Sequence, residues 1–193
     1  MIEDFIQPRD LEKLVTKKLK DIGIVEYPFN PYEIIKREKI ALVETPFDCE
    51  ALKGVIMYGT KGAIIAINSN RSYVSRRFAA MHELSHYWFH PRINREVLCL
   101  DGYADDYSDE EWQANNAAAY ALMPKIIVEK LYRAHNGNTL KMSSALKVCE
   151  ESLKYRMREI GLPLVNPKNS SFVNFGGIQD ISLLENHWLY GGQ

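Results

Sequence analysis

Residues 82–86 read His-Glu-Leu-Ser-His and stand inside an apolar run that includes Phe78, Ala79, Ala80, Met81, Leu84, Tyr87 and Trp88. This combination constrains the fold more than any other feature of the chain. Ser72 is a suitable helix cap and Pro91 forbids continuation, so the spacing predicts one helix between them. Residues four apart share a helix face, which puts His82 and His86 side by side. The apolar neighbours imply that the helix is largely buried. Two buried imidazoles beside a buried glutamate need partners or a cation to offset their desolvation.

Both imidazoles can reach one metal ion, and a zinc ion held by three protein ligands keeps a position for water. Zinc would bring that water's pKa near neutrality and polarise a peptide carbonyl as a Lewis acid. Glu83, one residue beyond His82, can approach the water without occupying the metal's own coordination shell, and is the expected general base. A third ligand is required. His90 continues the same face, but eight residues of helix rise about 12 Å, too far for His82 and His90 to share an ion. The helix C-terminus, where the macrodipole favours a histidine, is its expected place. Arg92 stands where a metzincin would carry histidine. Glu111, 25 residues beyond His86, is the better candidate, with Asn115 one turn later placed to orient a ligand imidazole. Ser108-Asp-Glu-Glu111 also spells a capping box, in which Glu111 would only close back on Ser108 and Glu110 would be the fallback ligand. Spacing alone leaves both open.

Elsewhere the pattern is of helices around a small sheet. Leu11, Leu14, Val15, Leu19 and Ile22 recur at helical spacing, with Gly23 as the stop, and Pro31 suits the first turn of a second helix. Three apolar runs follow, Ile40 to Val43, Val55 to Tyr58 and Ala63 to Ile67, the last two joined by a glycine-bearing reversal. A small antiparallel sheet is expected. Further helices are expected from about Ser108 to Met123, from Pro124 to Asn136, and over Leu140–Lys147 and Glu150–Ile160. The fold class is therefore α+β: a mostly helical catalytic core over residues 1–124, a small helix-turn-helix-like appendage over 125–162 packed on it, and an unassigned extension over 163–193.

Three segments together resemble the ImmA/IrrE family of zinc metallopeptidases: INSN at Ile67–Asn70, RRFAAMHELSHYWFH at Arg76–His90, and EWQANNAAAYALMP at Glu111–Pro124. The last resembles the family's E-x-E-A-N-x-FA-x-x-LLMP helix and is the most specific. The resemblance runs from about Pro28 to Leu162. It implies a zincin-like core, Zn2+ as cofactor, and Glu111 and Asn115 at the positions of the third ligand and the helix asparagine. Departures are Met81 before the histidine, Ser85 in place of glycine, and Gln113 and Ala117 in place of the family's second glutamate and phenylalanine. Known members cleave helix-turn-helix repressor proteins. The resemblance thus implies a site-specific protease acting on such a regulator.

Charge and cysteine usage bear on partners. The formal net charge of -1 gives no global preference for nucleic acid or anionic membrane. Between Glu96 and Glu111 lie seven acidic side chains and no basic one, which would attract a basic partner or merely solvate a loop. From Lys125 to Leu162 eight basic residues face four acidic ones. Lys147, Lys154, Arg156 and Arg158 are expected outward there, and a regulatory DNA- or partner-binding protein with a vestigial metal site is the competing function, less favoured than a solvated bundle. Ala63, Ile64, Ile65, Ala66 and Ile67 form a candidate strand for pairing with extended substrate, or an ordinary sheet strand. The three cysteines, Cys49, Cys99 and Cys149, have no CxxC spacing, and no apolar stretch is long enough to span a bilayer, so a cytoplasmic protein is expected. Cys49 is a packed thiol or a remote candidate for capping the metal. For an oxyanion donor, Tyr87, Tyr103, Tyr107, His135 and Arg76 qualify by type alone.

Overall fold

The computed structural model describes residues 8–60, 62–90, 96–100, 109–165 and 172–173. Helix α1 (Pro8–Asp21) buries Leu11, Val15 and Leu19 on one face, while Leu14, 42% exposed, falls outside it. Gly23 ends the helix at φ +78, a conformation that only glycine adopts freely, and the Ile24 amide returns to the Leu19 carbonyl. Helix α2 (Pro31–Arg37) starts on an Asn30 cap whose side chain accepts from the Tyr32 amide.

Strands β1 (Ala41–Thr45), β2 (Leu52–Gly59), β3 (Gly62–Asn68) and β4 (Glu96–Leu100) form one sheet in the order β1-β3-β2-β4. β2 is antiparallel to both β3 and β4, but β1 runs parallel to β3, so the sheet is mixed rather than antiparallel throughout. The cause lies in the β1–β2 connection, which steps over one strand position and leaves a slot that β3 fills by hairpin return. Asn68, buried at the end of β3, pins that crossover: its Oδ1 accepts from the Phe47 and Asn70 amides and its Nδ2 donates to the Leu52 carbonyl at 2.8 Å. β3 is thereby paired along both edges. The Ala63–Ile67 segment has no open backbone row for an extended substrate, and the sheet's outer rows belong to β1 and β4. β4 falls in the acidic stretch that the sequence reads as loop.

Helix α3 (Tyr73–Phe89) begins on Ser72, whose hydroxyl accepts from the Ser75 amide, and packs across β2 and β3. Helix α4 (Asp109–Leu122) lies against it, and both helices bury side chains of minimal bulk, Ala114, Ala117, Ala118 and Ala121 in α4 and Ala79 and Ala80 in α3. Helices α5 (Lys125–Ala134), α6 (Thr139–Leu146) and α7 (Glu150–Glu159) follow, then the short pair β5 (Leu164–Val165) and β6 (Phe172–Val173). Val128, Met142, Leu146, Leu153 and Met157 from these helices join the same buried apolar cluster as α1, α3, α4 and the sheet.

Two arginines tie these helices inward. Arg77 of α3, 1% exposed, donates to the Leu146 carbonyl at 3.0 Å, to Phe29 at 2.6 Å and to Lys147, whose φ of +55 ends α6. Its guanidinium thus caps the negative end of α6 while burial pulls its pKa down. Arg156 of α7 corrects the sequence expectation: it is buried, not outward. It donates to the Met123 carbonyl, pairs with Glu12 and Glu159, and lies 4.4 Å from the Tyr120 ring centroid. α1, α4 and α7 meet at this residue because Glu12 supplies a carboxylate from a distant part of the chain. Lys147 and Arg158 are exposed, and Lys154 pairs with Glu150 and Glu151 of its own helix.

Replacing Arg77 by Met should therefore lower unfolding free energy by about 2–4 kcal/mol, because three carbonyls lose a charged donor. Urea denaturation measures this, with amide exchange quickened first at Lys147 and Val148. A loss under about 0.5 kcal/mol would mean that the guanidinium's desolvation cancels its bonds.

Candidate metal centre

α3 presents His82, Glu83 and His86, each 0% exposed, to the space between the sheet and α4. Burial of three ionisable groups on neighbouring turns is unusual, and for the two histidines it is accounted for by what faces them. His82 Nε2 lies 3.0 Å from His86 Nε2. Glu111, from the first turn of α4, puts Oε2 3.3 Å from His82 Nε2 and Oε1 3.1 Å from His86 Nε2. Among the described residues this is the one group of donors that converges well enough to hold a metal ion. Glu83 and Glu110 are not in it, and Cys49 is exposed in the β1–β2 connection. The capping alternative for Glu111 involves Ser108, which lies outside the described residues; the Glu111 carboxylate itself faces the two imidazoles.

The outer nitrogens are also engaged. His82 Nδ1 donates to Asn115 Oδ1 at 3.0 Å, one turn along α4 from Glu111. That contact places the proton on Nδ1 and the lone pair on Nε2, toward the cluster. His90, at the C-cap of α3, is 7% exposed and turned inward. Its Nδ1 is 3.2 Å from His86 Nδ1, and its Nε2 is 3.0 Å from Gln113 Oε1. The sequence places His90 only as a terminal charge. Helical spacing four residues beyond His86 was the signal for a contact between the rings.

The donor set fits a tetrahedral cation. Bonds of 2.0–2.1 Å place neighbouring ligands about 3.3 Å apart, close to the separations of 3.0, 3.1 and 3.3 Å found here. Burial opposes ionisation of Glu111, but in the metal-free chain a proton held between it and His82 or His86 outweighs that and keeps the carboxyl well below its usual range. Burial lowers the pKa of His86 to about 4, against the opposing pull of Glu111, so its imidazole is neutral and its lone pair available.

Glu83 occupies a different slot, against β2. A Cβ at Gly54 would stand 2.9 Å from Glu83 Oε1, so glycine alone leaves room for the carboxylate there. Neither Glu83 oxygen has a well-formed hydrogen bond among the described residues, although the Ile56 amide lies near enough to favour the anion weakly. Burial pushes the Glu83 pKa up to about 8, with Glu111 adding to the rise and His82 opposing it. Tyr58 follows Gly54 and Ile56 at strand period on β2. Its hydroxyl is buried without a hydrogen-bond partner among the described residues, and burial, with the nearby charge of Glu83, raises its pKa to about 12. A neutral phenol donor thus stands near the general-base candidate, at a position that type alone did not single out. Of the other oxyanion candidates, Arg76 pairs with Glu44, His135 caps α5, Tyr87 is half-buried one turn beyond Glu83, and Tyr103 and Tyr107 lie outside the described residues.

The α+β frame and an HExxH helix facing an acidic residue of a second helix define a metallopeptidase-type centre. The family model Peptidase_M78, the IrrE N-terminal-like domain, matches residues 35–158, and the chain belongs to this ImmA/IrrE family. No curated protein matches the chain. No helix among the described residues is long and apolar enough to cross a membrane.

The raised pKa of Glu83 has a consequence for metal-free protein. Its folded value of about 8 exceeds the ordinary 4.5, so the folded state binds the extra proton between those pH values and stability falls as pH rises through them. With a chelator present, Glu83→Gln should be nearly neutral at about pH 5 and stabilising by roughly 2–5 kcal/mol at about pH 9. Thermal unfolding at both pH values checks this; an equal effect at both would contradict a buried, poorly solvated carboxylate.

Proposed function

We propose that the chain is a zinc-dependent endopeptidase whose substrate is a protein, specifically a helix-turn-helix transcriptional repressor or similar regulator, cleaved at a defined site in the cytoplasm. The observation that carries the reading is the convergence of two buried imidazole nitrogens and the partly exposed Glu111 carboxylate at mutual distances of 3.0–3.3 Å, with Glu83 beside them but outside their group. Family membership supports the peptidase class, and the repressor as substrate rests on the ImmA/IrrE resemblance alone.

His82, His86 and Glu111 would hold the zinc, and Asn115 would fix the His82 ring. Bound zinc supplies Lewis-acid polarisation of the scissile carbonyl and acidifies a water molecule. Glu83 accepts the proton of the attacking water and delivers it to the nitrogen of the leaving amine. Its environment suits both halves of that transfer. Burial holds its proton affinity near neutral pH, and the positive charge of an ion at the donor group would draw it down again, so neither form is strongly preferred. Tyr58, kept protonated, offers a donor for negative charge developing on the carbonyl oxygen. Direct reading of DNA is not part of this proposal, since Arg156 is committed to Glu12, Glu159 and the Met123 carbonyl.

Purified protein should carry close to one zinc per chain, and co-production with a helix-turn-helix repressor should yield discrete repressor fragments. Glu83→Gln should retain the zinc and lose about 10²–10⁴-fold in cleavage rate. Elemental analysis and timed electrophoresis measure the two. A variant that cleaves at the wild-type rate removes Glu83 as the base, whereas wild type that leaves a range of repressors intact but degrades an unfolded protein substrate removes only the proposed substrate.

A further inference from the structure

His90 and Gln113 take no part in the scheme above, yet both are buried against it. Gln113 is 6% exposed and stands between the ligand candidate Glu111 and Asn115 in the sequence of α4. Its Oε1 meets His90 Nε2 at 3.0 Å, and His90 Nδ1 meets His86 Nδ1 at 3.2 Å. A contact between two imidazole nitrogens needs one proton, carried by one ring and accepted by the other. The proton order along the row is therefore set from its far end.

An amide oxygen only accepts. With Gln113 Oε1 toward His90, the His90 proton sits on Nε2 and its Nδ1 lone pair accepts from His86 Nδ1–H. The lone pair of His86 then lies on Nε2, facing Glu111 and His82. In the opposite order the Gln113 amide nitrogen donates to His90 Nε2, His90 Nδ1 donates to His86 Nδ1, and a proton is left on His86 Nε2, at the atom a metal needs. The second order needs the Gln113 amide turned over from the orientation found, in which Oε1 faces His90, and only the first leaves a ligand. His82 reaches the same end by a shorter route, directly through Asn115.

We propose that Gln113, acting through His90, is a positioning residue that holds His86 in the tautomer with its Nε2 lone pair directed at the metal. This inference rests on the metal-centre reading. The row is a relay of orientation: no proton is consumed or released along it, and neither Gln113 nor His90 touches the substrate or the ion.

Two measurements test it. The first is the tautomer of His90 in zinc-loaded wild type, read from ¹⁵N couplings of selectively labelled histidine, and protonation at Nε2 is expected. The second is zinc affinity by competition with a chromophoric chelator. Gln113→Met keeps the chain length but removes the acceptor, and should weaken zinc binding by about 10–100-fold. Gln113→Glu, whose carboxylate can only accept, should bind at least as tightly as wild type with His90 again protonated at Nε2. His90 protonated at Nδ1 in wild type, or Gln113→Met binding within about two-fold of wild type, overturns the relay while leaving the metal centre standing. Wild type that takes up no zinc removes both. The tautomer measurement needs no variant and so decides the matter even where Gln113→Met does not fold.

Discussion

Two imidazole nitrogens and a carboxylate cannot be driven together in a buried space unless positive charge sits among them. In this protein Asn115 takes the outer proton of His82, so the His82 lone pair faces inward at 3.0 Å from His86 Nε2 and 3.3 Å from Glu111. That arrangement repels itself unless a cation or an added proton occupies the centre. The remaining architecture serves to impose the proximity. α3 and α4 pack against each other closely enough that Glu111 and Asn115 of one helix reach His82 of the other.

The opposite wall does different work. β2 supplies Gly54, where a methyl group would collide with Glu83, and an Ile56 amide that only weakly compensates the carboxylate. Glu83 is thus held close to the donors in a slot too dry to keep it ionised by solvation. A fully hydrogen-bonded carboxylate would be an inert anion, and an exposed one would keep an ordinary acid's proton affinity. Poor satisfaction is what tunes it toward neutral pH, at the expense of folding stability in the metal-free chain.

Much of this was readable from residue order, because it depends on helical repetition. The His82–His86 pair and the α4 face bearing Glu111 and Asn115 are consequences of a period of 3.6, and the bounds of α3 follow from a serine cap and a proline, both local signals. What depended on contacts between distant segments was not readable. The parallel placement of β1 follows from Asn68 gripping the Phe47 and Leu52 backbone, and nothing local in INSN announces that. The same holds for Arg156, whose alternation with Lys154 and Arg158 suggests a solvent-facing basic stripe until Glu12 arrives from α1. Gly54 and Tyr58 lie on one strand face with Ile56, yet their relation to Glu83 appears only when that strand lies under α3.

The C-terminal helices gain a meaning from the same reasoning. A basic helix pair after a metallopeptidase core invites the idea of a DNA-reading module, but a recognition helix needs its long cations free to meet phosphates and base edges. Here α7 turns its arginine at 156 into the protein, and the end of α6 is gripped by Arg77, five residues ahead of His82 on the metal helix itself. The same guanidinium engages Phe29, just ahead of α2. Fixing α3 at Arg77, at the donor group and at the His90 cap leaves little freedom to rotate about its axis. A rotation of one residue, about 100°, would carry both imidazoles away from Glu111. The appended helices thereby brace α3 through the carbonyls that Arg77 holds at the end of α6.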